Sequence, residues 1–289
     1  MTVTLFHGDC IEIMRGLPDA SIDAVITDPP YPEIDREYGR MSEAAWWDMM
    51  MGVCAEVRRL LKPTGSAVFI LQPNSRKVGS MRGWLWEFMA WVCRDWNMVQ
   101  DVWWINTIPV PVAHCSETNG LMRPSAKAMV WAGSLECYRN QDAILMDAAR
   151  NYATASNLDN RVRREWPSGN SMNTSAVAKS SLRREGVTPF NAVFHSTGNS
   201  NEKAGAHGHG AGTPLELAKW WTRYIVPLGG TVLDPFVGSG TMMLAAMTYD
   251  CDGIGIDKIE KYINTAQTRI DGAKQRIETA RDQIKFDIS

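Results

Sequence analysis

The chain has 289 residues, 45% of them hydrophobic, and a formal net charge of −2 at pH 7. This length and composition predict one large α/β domain with an insertion, or two domains, around a substantial core. No apolar stretch reaches the ~18 residues that span a bilayer, and the N-terminus lacks the basic region of a secretory signal. We therefore expect a cytoplasmic protein without membrane contact, and its near-neutral charge leaves a nucleic-acid partner open.

Strand and helix patterns alternate along most of the chain, which predicts a mainly parallel sheet covered by helices on both faces. Six scattered cysteines form no Cys-x-x-Cys pair, so reduced thiols and no metal site are expected. The predicted strands cover 2–6, 22–27, 67–71, 99–105, 128–132, 231–233 and 253–256. The predicted helices cover 10–17, 42–61, 80–95, 215–225, 242–248 and 260–284.

The second predicted strand ends at the tetrapeptide Asp28-Pro29-Pro30-Tyr31. The carboxyl edge of an open α/β sheet is where such folds bind ligands. There a carboxylate can accept hydrogen bonds from a planar amine, and a tyrosine can stack on its face. A tight turn that happens to contain a tyrosine is an equally good interpretation of the tetrapeptide alone.

The segment from 139 to 212 differs in composition, being rich in Asn, Ser, Arg and Gly. Between residues 139 and 185 it has eight Lys or Arg against five Asp or Glu. This excess is typical of a segment that follows a phosphate backbone, and equally of a solvated surface insertion.

A Gly-containing loop, 234–241, lies between the predicted strand 231–233 and the next helix, and the strand after that ends in Asp257. Gly238 and Gly240 allow the backbone to approach a ligand, and an acid at the position of Asp257 can accept both ribose hydroxyls. This pattern predicts a nucleoside site.

Two competing nucleotide sites match the loop less well. The third glycine of an NAD fingerprint is Met243 here, and the Gly-Lys-Ser/Thr of a P-loop is missing. A nucleoside without phosphates, such as S-adenosylmethionine, fits better, with Asp234 placed to pair with its ammonium group.

With both motifs in view, the chain resembles the β-class DNA amino-methyltransferases. That class has DPPY ahead of the Gly loop, as in Asp28–Tyr31 and DPFVGSGT at Asp234–Thr241, with a target-recognition segment between them. The resemblance covers roughly 2–135 and 207–270. It implies a doubly wound α/β fold of the S-adenosylmethionine-dependent methyltransferase type in circularly permuted order.

The same resemblance implies three regions of the chain. Residues 1–138 form the catalytic part with DPPY. Residues 139–212 form an inserted target-recognition region and flexible loop. Residues 213–289 form the cofactor-binding part of the same domain as 1–138.

The resemblance also implies methyl transfer to an exocyclic base amine in double-stranded DNA. Adenine N6 is favoured because a serine commonly replaces Asp28 in enzymes that act on cytosine N4. The implied catalytic residues are Asp28, Pro29, Pro30 and Tyr31. The implied S-adenosylmethionine-binding residues are Asp9, Cys10, Asp28, Asp234, Pro235, Phe236, Gly238, Ser239, Gly240, Thr241, Asp257 and Lys258. The expected nucleic-acid contacts are Arg123, Arg161, Arg163, Arg164, Lys179, Arg183 and Arg184.

One departure from the family pattern lies ahead of the Gly loop. The family usually has His and then Lys-Pro there, whereas this chain has His207, His209 and Thr213-Pro214. A metal held by the two histidines is not expected, because no further ligands gather at metal spacing.

Several alternatives stay open at this point. The chain could act on cytosine N4, on RNA or on a glutamine amide. It could also be a binding protein that has lost catalysis, or an NAD-dependent oxidoreductase. A homodimer is expected by analogy with β-class relatives, with the Met- and Trp-rich stretch 46–104 as a candidate interface.

Overall fold

A computed structural model of the chain describes residues 1–107, 117–146, 164–165, 171–172, 184, 186–196 and 212–288. The chain separates into two compact units. The first combines Met1–Arg139 with Asn191–Ser289, and the second is Asn140–Phe190.

The described strands and helices follow the predicted alternation. The strands are β1 (Val3–His7), β2 (Ile22–Thr27), β3 (Leu61–Leu71), β4 (Ser75–Lys77), β5 (Ser80–Met81), β6 (Met98–Ile105), β7 (Ala126–Gly133), β8 (Arg164–Glu165), β9 (Ser171–Met172), β10 (Ala192–Phe194), β11 (Thr231–Asp234) and β12 (Asp252–Asp257). The α-helices are α1 (Cys10–Arg15), α2 (Glu43–Leu60), α3 (Trp84–Asp95), α4 (Leu215–Ile225), α5 (Thr241–Thr248) and α6 (Glu260–Ile288).

The first unit is built on an eight-stranded sheet with the order β1-β12-β11-β2-β3-β7-β6-β10. Strand β7 runs antiparallel to both of its neighbours, and the other described pairings in this sheet are parallel. The predicted doubly wound, mainly parallel α/β fold is therefore confirmed.

The permuted chain order brings the two sequence motifs side by side. Strand β11 pairs in parallel with β2, through Val232 with Ala24 and Leu233 with Val25. Because parallel neighbours end at the same edge of a sheet, the segments after the two strands emerge together. Some two hundred residues of sequence separate them.

Helices cover both faces of this sheet. One face packs on α1, α2 and α3 through a core that includes Met14, Trp46, Trp84 and alternate residues of the strands such as Val130. The other face packs on α4, where the Trp221 indole donates to the Met129 sulfur over 3.0 Å. Helix α5 packs between α4 and α6. Alternation of Met129 and Val130 between the two faces is the period of two that a buried strand requires.

Most of the Trp- and Met-rich stretch 46–104 fills this core. Trp46 and Trp84 are fully buried with ring centroids 4.7 Å apart, and Trp104 is buried as well. Trp86 and Met81 are exceptions, with 48% and 54% of their surfaces exposed. The homodimer remains a prediction, because packing accounts for these side chains without a partner.

The strand expected over 67–71 is longer in the structure. Strand β3 begins at Leu61, which pairs with Ile22, and a register shift follows before Ser66 pairs with Ala24.

Two further sequence expectations differ from the structure. The helix expected over 80–95 begins only at Trp84, because Gly83 precedes it and Ser80–Met81 pairs as a strand with β4. The insertion expected over 139–212 includes Ala192–Phe194, which is instead β10 at the edge of the main sheet. Three residues are too short a run to show a period, so the sequence pattern missed it.

The second unit is described only in part. Its residues include a turn of 3-10 helix at Gln141–Ile144, the short hairpin of β8 and β9, and an antiparallel bridge between Met146 and Val187. In the described residues of the chain, no helix is long and apolar enough to cross a membrane.

Candidate active site

A cavity of about 1050 Å³ opens at the carboxyl edge of the main sheet. This volume is at the upper end of the usual range for ligand pockets, ~300–1,000 Å³. The segments that follow β1, β2, β3, β11 and β12 all line the cavity, as does the start of antiparallel β7. The lining includes Asp9, Cys10, Asp28, Pro29, Pro30, Tyr31, Asp234, Pro235, Phe236, Gly238, Ser239, Thr241, Asp257 and Lys258.

The DPPY loop is anchored by side chains from other elements. The indole of Trp46 donates to the carbonyl of Pro30 over 2.7 Å, and the amide of Asn74 donates to the carbonyl of Pro32 over 2.6 Å. Trp84 in turn donates to the Asn74 carbonyl oxygen over 2.9 Å. The two indole donors are buried and would otherwise be unsatisfied, so core and loop hold each other in place.

Three donors converge on the Asp28 carboxylate, whose side chain is 21% exposed. The Tyr31 hydroxyl donates to Oδ1, while the Thr213 hydroxyl donates to Oδ2 over 3.1 Å and the Lys127 ammonium over 3.4 Å. Burial and then the Asp28 charge raise the pKa of Tyr31 well above its usual value, so its hydroxyl keeps the donated proton.

The ring of Tyr31 already has neighbours. It stacks against Trp84 with centroids 6.3 Å apart, and the Lys127 ammonium lies 5.5 Å from its centre. A role for Tyr31 as the stacking face of a target base therefore stays a prediction.

Asp234 is buried beneath the loop that it begins, at 3% exposure. Its Oδ1 accepts from the Thr27 hydroxyl over 2.6 Å and from the Phe236 amide over 3.1 Å. Burial raises the pKa of this carboxyl from 3.8 to about 7, against the opposing effect of these hydrogen bonds. The Thr27 bond joins the last residue of β2, just before the DPPY motif, to the first residue of the Gly loop.

Asp257 fastens the Gly loop to the end of β12. Its Oδ2 accepts from the Gly238 amide over 3.0 Å, and its Oδ1 accepts from the Ile259 amide over 2.9 Å. Gly240 has φ +83°, and a Cβ there would lie 3.0 Å from the Cβ of Ala266. Glycine is needed here because φ is positive and because a Cβ would press on Ala266. Its lack of a side chain lets the loop pack tightly on α6.

Arg269 of α6 holds the other side of the same loop. Its guanidinium donates to the Ser239 carbonyl over 2.6 Å, to the Ser239 hydroxyl over 2.8 Å and to Thr241 Oγ1 over 3.3 Å. Ser239 and Thr241, expected as cofactor contacts, thus have hydrogen bonds within the protein.

Two predicted cofactor residues have roles at helix α1. Asp9 is its N-cap, with Oδ1 accepting from the Ile11 amide over 2.9 Å and the Glu12 amide over 3.2 Å. Burial raises the pKa of the Cys10 thiol to about 12, so it remains neutral. Both line the cavity, and neither offers a free charge beyond the second oxygen of Asp9.

Three of the predicted nucleic-acid contacts lie in the described residues, and their surroundings differ. Arg123 is exposed. Arg184 is engaged within the second unit, where it donates to Asp142 over 2.5 Å and to Gln141 over 2.9 Å. Arg164 lies in β8. The remaining expected contacts, Arg161, Arg163, Lys179 and Arg183, lie outside the described residues, as do His207 and His209.

Comparison with known proteins resolves the family. The model of the DNA methylase family (N6_N4_Mtase) matches residues 22–268, which is most of the chain. The chain belongs to this DNA methylase family. It is thus a DNA methyltransferase, as the resemblance implied, and membership disfavours the oxidoreductase interpretation.

Individual relatives are distant and span most of this DNA methylase. The type II methyltransferase M.HinfI of Haemophilus influenzae is 25% identical, with 92% of this chain and 68% of that protein covered. M.PvuII of Proteus hauseri is 22% identical, with 92% and 83% covered.

Solved structures agree on the fold. The PvuII DNA methyltransferase, described as cytosine-N4-specific, superposes with a TM-score of 0.71 at 18% identity, covering 93% of this chain and 86% of that one. The Thermus thermophilus protein TTHA0409, solved in complex with S-adenosyl-L-methionine, gives a TM-score of 0.58 at 20% identity, covering 94% and 96%.

Several residues of the site were not predicted from the sequence. Thr27, Lys127 and Arg269 make the contacts described above without having been singled out, and Thr213 was noted only as a departure from the family pattern, not as a partner of Asp28. One feature of the sequence could have pointed to Lys127, which is a lone cation beside the apolar run 128–132. In the described residues, no group of His, Cys, Asp and Glu is arranged to hold a metal ion.

Proposed function

We propose that this DNA methylase transfers a methyl group from S-adenosylmethionine to the N6 amine of an adenine flipped out of duplex DNA. The observation that carries the proposal is the shared cavity. Asp28 and the Gly loop line it together, and Thr27 joins the two across 2.6 Å.

The cofactor half of the cavity fits a cationic nucleoside. Asp234 and Asp257 place two acids on either side of a loop whose glycine amide is held toward Asp257. Asp257 would accept ribose hydroxyls, Asp234 would pair with the ammonium, and Phe236 and Pro235 would supply apolar contact. When bound, the cofactor supplies a methyl group made electrophilic by a positively charged sulfur.

The target half of the cavity fits a planar amine. The amine lone pair is delocalised into the base ring, so the nitrogen is a poor nucleophile. Asp28 and the Pro29 carbonyl would accept its two N–H bonds and draw the nitrogen toward tetrahedral geometry. Positioning and fixed charges would then provide most of the rate.

The step balances without a strong base. The amine nitrogen forms the new N–C bond with its lone pair, while the electrons of the broken C–S bond stay on sulfur, giving S-adenosylhomocysteine. The nitrogen, now positively charged, loses one proton to solvent. Extrusion of the target base costs a few kcal/mol, which stacking on Tyr31 would offset.

Adenine is favoured by the aspartate at position 28, since the resemblance associates serine there with cytosine N4. Cytosine N4 is the second candidate, because the superposed PvuII methyltransferase is described as cytosine-N4-specific. Methylated DNA digested to nucleosides and analysed by mass separates them. N6-methyldeoxyadenosine is expected, N4-methyldeoxycytidine would establish the second candidate, and neither product would refute the proposal.

Duplex DNA would contact exposed cations. Arg123, between the cavity-lining residues Met122 and Pro124, is the best described candidate, whereas Arg184 is already paired with Asp142. If Arg123 binds a phosphate, Arg123→Ala lowers the salt slope of DNA binding by about 1 and Arg184→Ala leaves it unchanged.

A further inference from the structure

Lys127 lies at the start of β7, directly paired with Trp104 of β6. Its ammonium is 3.1 Å from the Tyr31 hydroxyl, 3.4 Å from Oδ2 of Asp28 and 4.9 Å from the centre of the Trp104 ring. The side chain is only 14% exposed and lines the cavity. A positive charge is thus held beside the carboxylate that receives the target amine.

The Asp28 carboxylate has hydrogen-bond donors without this lysine. The carboxylate already accepts from Tyr31 and Thr213, and its contact with Lys127 is the longest of the three. An ammonium has three N–H donors. Among the described residues, hydrogen bonds from Lys127 go to Asp28 and Tyr31 alone, so the third donor is available to a ligand in the cavity.

The lysine cannot hydrogen-bond to the target amine, since the amine must donate to Asp28 and an ammonium has no acceptor. The base offers an acceptor next to that amine, however. In adenine and cytosine alike, a ring nitrogen lone pair shares one carbon with the exocyclic amine. The two nitrogens are about 2.3 Å apart, because each is joined to that carbon by a bond of about 1.33 Å.

The spacing of Asp28 and Lys127 matches such an edge. An acceptor and a donor 3.4 Å apart can form two nearly parallel hydrogen bonds, one from the amine and one to the ring nitrogen. Two bonds in the ring plane fix the orientation of the base, which directs the lone pair above the plane toward the methyl group.

We propose that Lys127 donates a hydrogen bond to the ring nitrogen beside the target amine, and that Asp28 and Lys127 together recognise this amine–imine edge. The inference rests on the proposed function, since it presumes a base in this half of the cavity. It makes Lys127 a specificity-determining residue of the methyl transfer.

The test uses duplexes that carry the enzyme's own methylation site, with the target adenine replaced by 1-deazaadenine or 7-deazaadenine. Each analogue lacks one ring nitrogen and keeps the amine. We expect wild-type kcat/KM to fall about tenfold or more on 1-deazaadenine, which lacks the ring nitrogen beside the amine, and to stay near its adenine value on 7-deazaadenine. Lys127→Met should react as slowly with adenine as wild type does with 1-deazaadenine, and should show less than about a twofold difference between adenine and 1-deazaadenine.

Lys62→Met is the matched control, because it removes a Lys–Asp ion pair of 2.7 Å that lies outside the cavity. The Lys62→Met variant should keep the wild-type ratio of kcat/KM between adenine and 1-deazaadenine, even if the variant is less stable. A wild-type enzyme insensitive to 1-deazaadenine, or a Lys127→Met variant as sensitive to it as wild type, would overturn the inference.

Failure of the proposed function gives a different result. If the methylated base is cytosine, 3-deazacytosine replaces the adenine analogues and the same ratios apply. If the wild-type enzyme methylates neither base, the proposed function fails at that point and the inference about Lys127 fails with it.

Discussion

The two loops that line the cavity are stabilised in opposite ways. The DPPY loop is held by donors from distant parts of the chain, including Trp46, Asn74 and Thr213. The Gly loop is held by acids at its own edges, Asp234 and Asp257, which accept from its backbone amides, and by Arg269 of α6. One loop depends on the core of the fold, and the other on the ends of two adjacent strands and on one helix.

The carboxylates of the two loops also differ, in how much of their surface is exposed. Asp28 is 21% exposed and faces the cavity, whereas Asp234 is 3% exposed and bonded to its own loop. Asp28 therefore presents more of its surface to a substrate, while Asp234 both shapes its loop and lines the cavity with a small part of its surface. This difference supports the proposal that methyl transfer takes place on the DPPY side and that the Gly loop holds the cofactor.

Removal of the accessible carboxylate should have the largest effect. Asp28→Ala takes away the acceptor of the amine while leaving the Gly loop in place, so we expect methyl transfer to fall by about a thousandfold or more. Cofactor affinity should change little. Incorporation of labelled methyl groups measures the first quantity, and calorimetry measures the second.

Asp28→Asn serves as its companion, because it keeps the shape and loses the charge. Both variants should bind S-adenosylmethionine with near wild-type affinity. Turnover close to wild type in Asp28→Ala would contradict the division between the two loops.

Loss of Asp257, the acid at the end of β12, should weaken cofactor binding. The size of this effect should lie between those of the other two predictions. Asp257→Ala removes the acceptor of the Gly238 and Ile259 amides as well as the proposed ribose contact, so we expect S-adenosylmethionine affinity to fall by about a hundredfold. Asp252→Ala, at the opposite end of the same strand, is the control and should leave affinity unchanged. Equal calorimetric affinities for Asp257→Ala and wild type would place the cofactor elsewhere.

The sequence predicted the two loops well because each motif is continuous. Strand β2 and helix α4 have the predicted bounds, and both motifs stand at the edge where strand ends bind ligands. The contacts of Lys127 and Thr213 with Asp28 were missed because they depend on sheet order and on how segments distant in the sequence come together. Sequence periodicity shows which face of a strand is buried but not which distant segment lies beside it, so long-range partners were out of reach.

The smallest expected effect concerns the buried acid of the Gly loop. The carboxyl of Asp234 has its pKa raised to about 7 by burial, so near pH 6 most of the folded protein carries a proton there. Pairing with the cofactor ammonium requires the ionised form. S-adenosylmethionine affinity should therefore rise up to about tenfold between pH 6 and pH 8, with release of a proton on binding.

The same shift sets the direction of a stability effect in the unliganded protein. In the unfolded chain this carboxyl loses its proton near its usual value of 3.8, whereas the folded state keeps it until about 7. The contribution of this group to the free energy of unfolding is therefore fully present at low pH. It is lost as pH rises from about 4 to 7, by at most about 1.4 kcal/mol per pH unit. Asp234→Asn removes the titration, so both its thermal midpoint and its cofactor affinity should depend less on pH than those of wild type. Identical pH profiles for the two proteins would show that the loop does not depend on this proton, and that the buried acid acts by shape alone.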